Sequence, residues 1–175
     1  MKKIHTPLDD VSVRDLKAGD EIYLDGIIYT ARDAAHKLII GALADNKQIP
    51  FNPFGQVIYY TGPTPCPPGK VIGSCGPTTS SRMDPYTIPL LEAGLKGMIG
   101  KGPRDESIRE ACARFGAVYF VAIGGAGALI AKSVMKSKII AYPELGPEAV
   151  CELEVSKLPL WVAIDSTGHA IFQNS

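Results

Sequence analysis

The chain has 175 residues, of which 46% are apolar and 21% are charged, a balance typical of a globular protein. Its 18 basic residues equal its 18 acidic ones, and no basic stretch with interleaved aromatic residues occurs, which argues against nucleic-acid binding. No secretory signal is recognisable, and the longest apolar stretch, residues 117–131, is too short and too rich in glycine to span a membrane. We therefore expect one cytoplasmic domain over residues 1–175.

The N-terminal part of the sequence predicts strands followed by a helix. Residues 21–29 alternate between apolar and polar around Asp25-Gly26, which predicts two strands joined by a hairpin turn. Thr30 is then the expected N-cap of a helix over residues 31–43, where apolar residues recur at helical spacing.

The start of this helix carries the first candidate site residues. Arg32 and His36 are four positions apart and so share one helical face. A cation at a helix N-terminus opposes the helix dipole, so Arg32 requires a partner. A ligand carboxylate is one such partner, and an internal acid such as Asp33 is the other.

The stretch with the most concentrated polar chemistry is residues 76–84, Gly-Pro-Thr-Thr-Ser-Ser-Arg-Met-Asp. The apolar run 71–73 before it predicts a short strand, and residues 84–92 after it predict a helix. A strand that leads through a turn into a helix presents free N–H groups and the positive end of the helix dipole. Four hydroxyl side chains and Arg82 add donors that suit an anion. The alternative is helix capping, which requires only one hydroxyl.

The second half of the sequence alternates strands with helices and ends in strands. The predicted strands are residues 96–99, 117–123 and 138–141, with two or three more in 149–172 around a turn at 165–168; the predicted helices are 105–115 and 128–135. This order predicts an α/β fold with a mixed central sheet, helices and an added β layer.

Two glycine-rich turns follow predicted strands in this half. In the first, Lys101 stands between Gly100 and Gly102 where open α/β sheets bind ligands, although an ordinary turn lysine gives the same pattern. The second, residues 124–127, resembles part of a dinucleotide fingerprint, but Ile130 stands where that fingerprint has glycine or alanine. Close packing of a helix on a strand explains these glycines equally well.

The cysteines do not have the spacing of a metal or cluster site. None belongs to a C-x-x-C motif, and none is paired with histidine. We expect buried thiols in a reducing compartment rather than disulfides. The cysteines are Cys66, Cys75, Cys112 and Cys151.

Residues 30–36, 67–74 and 76–84 together resemble the β subunit of iron–sulfur hydro-lyases, the class I fumarate hydratases and L(+)-tartrate dehydratases. The likeness extends over nearly the whole chain, and its Gly-Pro-Thr-Thr stretch is specific. The resemblance implies a swivelling β/β/α domain. It also implies a hetero-oligomer in which an α subunit carries three cysteines that hold a [4Fe–4S] cluster.

The resemblance also implies roles for individual residues. Arg32, Arg82 and Lys101 are expected to bind the carboxylates of a small dicarboxylate such as fumarate or malate. Thr78 and Thr79 are expected beside the carbon that loses its proton. Thr78 is the implied base, activated by a carboxylate of the α subunit.

His36 is also placed near the site by the resemblance, and we include it with Thr78 and Lys101 among the predicted catalytic residues.

No set of cysteines in this chain matches the cluster ligands, so we expect no metal ligand here and no activity without the α subunit. The main prediction is the β subunit of a fumarate hydratase. The alternatives are the β subunit of a tartrate dehydratase and a non-catalytic module that binds a dicarboxylate or a nucleotide.

Overall fold

The structure, a computed structural model, describes residues 1–122 and 127–172. The strands are β1 (Lys2–His5), β2 (Glu21–Thr30), β3 (Val57–Tyr59), β4 (Gly97–Gly100), β5 (Val118–Val121), β6 (Val134–Ala141) and β7 (Val150–Ile164). The helices are α1 (Asp10–Arg14), α2 (Asp33–Ala44), α3 (Asp84–Glu92), α4 (Glu106–Phe115) and α5 (Gly127–Ala131), with 3-10 turns at Ser80–Met83 and Pro143–Glu148.

The strands described form one sheet in the order β1-β2-β3-β4-β5-β7-β6. Strands β1 to β5 are parallel to their neighbours, whereas β7 is antiparallel to β2, β5 and β6. Because β7 pairs with both β5 and β2, the strands β2, β3, β4, β5 and β7 close into a barrel. The prediction of a mixed α/β fold is confirmed at this level.

Both faces of β3 and β4 are buried and nearly all of β5 is, and successive side chains along each strand point to opposite sides. In β3, Val57 and Tyr59 contribute to the core inside the barrel, while Ile58 contributes to a second core under the helices. In β5, Val118 and Phe120 face inward and Tyr119 faces the helices. Helices α2, α3 and α4 cover this outer face and contact one another in turn.

The predicted hairpin at Asp25-Gly26 is wrong, because residues 21–30 form the single strand β2. The strand contains a bulge between Leu24 and Gly26 where it pairs with β7. Gly26 has a φ of +111°, a value that side chains disfavour. The glycine therefore marks an irregularity within one strand and not a turn between two.

Thr30 does not cap α2. Its hydroxyl accepts a hydrogen bond from the N–H of Cys151 at 3.0 Å and so fastens β2 to β7. The position before the helix is Arg32, whose side chain makes no capping hydrogen bond in the part of the chain that the structure describes. The N–H of Ala34, in the first turn of the helix, instead donates to the carboxylate of Glu148 at 3.2 Å.

Three further secondary-structure predictions also differ from the structure. Residues 71–73 form no strand, since the neighbouring Ser74 exchanges hydrogen bonds with Thr64 in the same loop. The helix predicted over 128–135 ends at Ala131, and its last residues belong to β6. The tail is mainly the 15-residue strand β7, which changes partners along its length.

Part of the glycine-rich turn at 124–127 lies outside the described residues. Of the described helices, none is long and apolar enough to cross a membrane.

Candidate active site

The predicted site residues meet at the carboxyl ends of three neighbouring parallel strands. Arg32 follows β2, and Lys101 follows β4 directly. Between them, beyond the end of β3, the N–H of Thr78 donates to the carbonyl of Tyr60 at 2.7 Å. Thr79 forms an isolated parallel bridge with Lys101. Parallel strands end at a common edge, and ligands bind at this edge both in open α/β sheets and in barrels of parallel strands.

Asp33 connects the two arginines of this edge. Its Oδ1 atom accepts from Nε of Arg82 at 3.1 Å, and its Oδ2 atom lies 3.0 Å from Nη2 of the same residue, so the two form an ion pair with two contacts, of which the first is a hydrogen bond. The Nη2 atom of Arg32 lies 3.7 Å from the same carboxylate. Asp33, the internal acid predicted as one possible partner of Arg32, therefore lies beside Arg32, and the same carboxylate also pairs with Arg82. The side chains of Arg32 and Arg82 nevertheless remain 27% and 52% exposed.

The guanidinium of Arg32 lies in a narrow slot. A Cβ atom built on Gly62 would lie 3.0 Å from Cδ and 3.2 Å from Nη1 of Arg32, and 3.2 Å from the carbonyl of Pro147. The Nε atom of Arg32 is buried without a hydrogen-bond partner among the described residues. A buried donor without a partner is costly, so this atom is a natural contact for a bound anion.

Lys101 and the two threonines supply donors that are free in the described part of the chain. The ammonium of Lys101 is exposed and has no ion-pair or hydrogen-bond partner there. The hydroxyl of Thr79 is exposed, that of Thr78 is partly buried, and neither is hydrogen-bonded within residues 1–122 and 127–172. Ser80 differs, because it is fully buried and its hydroxyl accepts from the N–H of Lys101 at 3.0 Å.

The structure places His36 behind this edge, with only 1% of the residue exposed. Its Nδ1 atom lies 2.9 Å from the carbonyl of Arg32, and its ring lies between Tyr60 and Tyr86. Since a carbonyl only accepts, Nδ1 carries the proton and Nε2 is left as an acceptor. Burial lowers the pKa of His36 to about 4, so the ring is neutral at neutral pH. His36 therefore bonds to the backbone of Arg32, a predicted substrate-binding residue.

A buried arginine beneath the site was not recognised from the sequence. Arg104 donates from Nε to Asp84 at 2.5 Å and from Nη2 to Thr87 at 2.9 Å, with its side chain fully buried. Its guanidinium lies 5.3 Å from the ring centre of Tyr60 and 4.8 Å from that of Tyr119. The sequence signal was an arginine directly before Asp105, the N-cap of α4, where a cation opposes the dipole as it does at Arg32.

The cysteines do not converge on a common point. Among the described residues, no group of three or more His, Cys, Asp or Glu side chains is placed to hold a metal ion. Burial raises the pKa of Cys75 to about 11 and that of Cys112 to about 12, which disfavours the thiolate that metals bind. Cys151 is also buried, but Cys66 is exposed, so the prediction that all four are buried is wrong for Cys66. All four thiols are free.

Comparison with known proteins decides the family. The family model described as Fumarase C-terminus matches residues 3–175. The chain belongs to this family. The resemblance seen in the sequence is thereby confirmed.

Individual relatives of this fumarase C-terminus chain fall into two groups. It is 39% identical to a provisionally named L(+)-tartrate dehydratase subunit beta of Methanocaldococcus jannaschii, over 99% of the chain and 92% of that protein. It is 37% identical to the aerobic class I fumarate hydratase of Escherichia coli K12, over 86% of the chain. It is 34% identical to fumarate hydratase 2 of Leishmania major, over 97% of the chain. The chain spans only 28% and 30% of these two fumarate hydratases.

Proposed function

We propose that this chain is the β subunit of a [4Fe–4S]-dependent hydro-lyase that interconverts fumarate and L-malate. The observation that carries the proposal is the convergence of Arg32, Arg82 and Lys101 at one edge of parallel strands, beside the hydroxyls of Thr78 and Thr79, which have no hydrogen-bond partner within residues 1–122 and 127–172. Fumarate hydratases and a tartrate dehydratase subunit among its relatives support the same chemistry.

The charge of this edge suits a dicarboxylate. Arg32, Arg82 and Lys101 contribute three positive charges and Asp33 contributes one negative charge, so these four side chains together carry +2, with the carboxylate of Glu148 beside them at the N–H of Ala34. A four-carbon diacid carries the opposite charge. Arginine forks bind carboxylates at two points, and a lysine ammonium adds a compact charge for the second carboxylate.

The residue roles that the resemblance implies are compatible with this arrangement. Arg32, Arg82 and Lys101 hold the two carboxylates and so fix the carbon chain of the substrate across the threonines. Thr78 takes part in proton transfer at the carbon next to a carboxylate, and Thr79 binds beside it. A threonine hydroxyl is a weak base, so this assignment requires a carboxylate from the partner to accept the proton.

We propose that His36 acts on catalysis through Arg32 and not through the substrate. Its Nδ1–H holds the carbonyl of Arg32, and the neutral ring adds no charge that would repel the two guanidiniums. Residues 1–175 are proposed to form one domain, of the swivelling β/β/α type, that closes on the partner.

The cluster is proposed to lie on a separate α subunit. The described residues of this chain do not fit a cluster, since their cysteines do not converge and the buried thiols resist ionisation. The site described here is therefore one half of an active site, completed by the partner in a hetero-oligomer. The free thiols fit a reducing cytoplasm.

Tartrate dehydration is the second candidate. The relative from Methanocaldococcus jannaschii carries that provisional name and has nearly the same extent as this chain, with 92% of it covered. The same cations bind either diacid, because both substrates have four carbons and two terminal carboxylates. The third candidate is a non-catalytic module that binds a dicarboxylate or a nucleotide. The nucleotide alternative comes from the resemblance of residues 124–127 to part of a dinucleotide fingerprint.

The test is anaerobic co-expression with a candidate α subunit, followed by assays of fumarate hydration and L(+)-tartrate dehydration. The proposal predicts turnover of fumarate by the assembly and none by this chain alone. Turnover of tartrate only would favour the second candidate. Binding of NAD by the isolated chain, without any turnover by the assembly, would favour the third and contradict the proposal.

A further inference from the structure

Ser80 differs from its neighbours in the hydroxyl-rich stretch. Thr79 and Ser81 are exposed, whereas Ser80 is fully buried. Its N–H donates to the carbonyl of Lys101 at 3.0 Å, and its hydroxyl oxygen accepts from the N–H of Lys101 at 3.0 Å. Ser80 thus holds the backbone of Lys101 on both sides of that residue.

Tyr119 completes this arrangement from β5. Its hydroxyl oxygen lies 2.8 Å from the hydroxyl of Ser80 and 2.8 Å from the carbonyl of Gly102. A carbonyl only accepts, so the phenol proton goes to Gly102 and the Ser80 hydroxyl donates to Tyr119. The chain of donors therefore runs from Lys101 to Ser80, to Tyr119 and to Gly102, and each hydroxyl both donates and accepts.

The surroundings leave this chain of hydrogen bonds little room to rearrange. A Cβ atom on Gly100 would overlap the hydroxyl oxygen of Ser80, so the two segments touch at this point. The ring of Tyr119 lies against the guanidinium of Arg104, which is in turn held by Asp84. Burial raises the pKa of Tyr119, so the phenol keeps its proton. Close-packed elements of this kind have few alternative positions.

We propose that Ser80 and Tyr119 are positioning residues that fix the loop of Lys101, so that its ammonium is presented beside Thr79. The hydrogen bonds are made to the backbone of residues 101 and 102 and leave the ammonium free in the described part of the chain. The inference rests on the proposed function, in which Lys101 binds a substrate carboxylate.

The test measures binding of succinate, a dicarboxylate that cannot be hydrated, to the chain assembled with its partner. Tyr119→Phe removes one hydroxyl and keeps the ring over Arg104. We expect the succinate Kd to rise by about tenfold and the KM for fumarate to rise with it. In a Lys101→Ala background, Tyr119→Phe is expected to change Kd by less than about twofold, because the residue acts through Lys101.

Two further variants separate positioning from general loosening. Ser80→Ala removes the hydroxyl that Lys101 and Tyr119 share. We expect the same rise in the succinate Kd as for Tyr119→Phe, so this variant provides the test if Tyr119→Phe folds poorly. Thr87→Val removes a buried hydroxyl that bonds to Arg104 and to the carbonyl of Met83, while the ion pair with Asp84 still holds Arg104 against Tyr119. It is expected to lower the thermal midpoint and leave the succinate Kd within about twofold.

The outcomes distinguish this inference from the proposed function. If Lys101→Ala weakens succinate binding but Tyr119→Phe and Ser80→Ala do not, the inference is wrong and the proposed function stands. An undiminished effect of Tyr119→Phe in the Lys101→Ala background also overturns it. If Lys101→Ala leaves succinate binding unchanged, the role of Lys101 in the proposed function fails, and the inference fails with it.

Discussion

Arg82 and Asp33 form a two-point ion pair across the candidate site, with Nε–Oδ1 and Nη2–Oδ2 distances of 3.1 and 3.0 Å. The pair joins the hydroxyl-rich stretch to the start of α2, two segments that are far apart in sequence. Asp33 occupies one edge of the guanidinium and so fixes its plane. The opposite edge remains open, since the side chain of Arg82 is 52% exposed. In the proposed function, a substrate carboxylate would therefore meet a guanidinium that is already oriented.

Arg82→Ala is expected to lower kcat/KM of the assembled enzyme for its dicarboxylate by at least about 100-fold, roughly 3 kcal/mol. The reason is that the two charge-assisted hydrogen bonds proposed between this guanidinium and the substrate carboxylate are lost. Arg82→Lys restores only part of this, since an ammonium cannot form the two-point contact. The free energy of unfolding is expected to change by no more than about 1 kcal/mol, because the ion pair is at the surface. Steady-state kinetics and urea unfolding measure the two effects.

Arg14→Ala is the matched control, because this arginine is also exposed but lies on α1. It should leave kcat/KM within about twofold, as is usual for surface changes. Near-normal turnover by Arg82→Ala would remove this residue from the site.

Asp33→Asn tests whether the acid orients the arginines or merely competes with substrate. If it orients them, kcat/KM falls by about tenfold, because Arg82 loses its charged partner and the two guanidiniums repel each other. If it competes, the KM for the diacid falls and kcat/KM rises. Our account predicts the fall. Asp45→Asn, at the far end of α2, is the control and should change neither parameter.

Gly62→Ala tests the slot around Arg32. The added methyl group would lie 3.0 Å from Cδ of Arg32 and 3.2 Å from the backbone carbonyl of Pro147, so the Arg32 side chain and the backbone at Pro147 both have to shift. We expect the KM for the diacid to rise by about tenfold and the thermal midpoint to fall by a few degrees. Gly41→Ala is the matched control, since no atom of the described residues lies within 4 Å of its added Cβ and alanine favours the helix. Unchanged kinetics for Gly62→Ala would show that Arg32 does not need its observed position.

His36 makes stability depend on pH. Its pKa is about 4 in the folded chain and about 6.5 when unfolded, so the unfolded chain binds more protons between these values. Stability from this residue is complete above about pH 6.5 and is lost as the pH falls towards 4, by on the order of 3 kcal/mol. His36→Asn keeps a donor near Nδ1 but does not titrate. Urea unfolding across this range should show a shallower pH slope for the variant, and equal slopes would contradict the lowered pKa.

The sequence indicated much of the candidate site because the signals for its residues are local. A hydroxyl-rich stretch with Arg82, and a lysine between glycines after a strand, are recognisable without knowledge of the fold. The shared edge of parallel strands then brings Lys101 next to Thr79. The Asp33 partner of Arg32 was also open to prediction, since it is the next residue.

What the sequence did not reveal depends on contacts between distant segments. Thr30 has the pattern of an N-cap, yet its hydroxyl bonds to Cys151 in β7. Ser80 looks like one more exposed hydroxyl, but it is buried because it bonds to Lys101 and Tyr119. Asp25-Gly26 fits a hairpin turn until the pairing of β2 with β7 is known. In each case, contacts with a distant segment determined the structure, and the local preference of the sequence did not.

The central claim is that this chain supplies the cationic, hydroxyl-bearing half of an active site that a partner completes. The most direct measurement is the rate of fumarate hydration as the chain is added, without oxygen, to the isolated cluster-bearing α subunit. We expect neither protein to work alone, and a rate that rises with added chain and levels off near equal amounts. The Arg82→Ala chain should bind the α subunit equally well without producing this rate. Hydration by either protein alone, at the rate of the mixture, would contradict the claim.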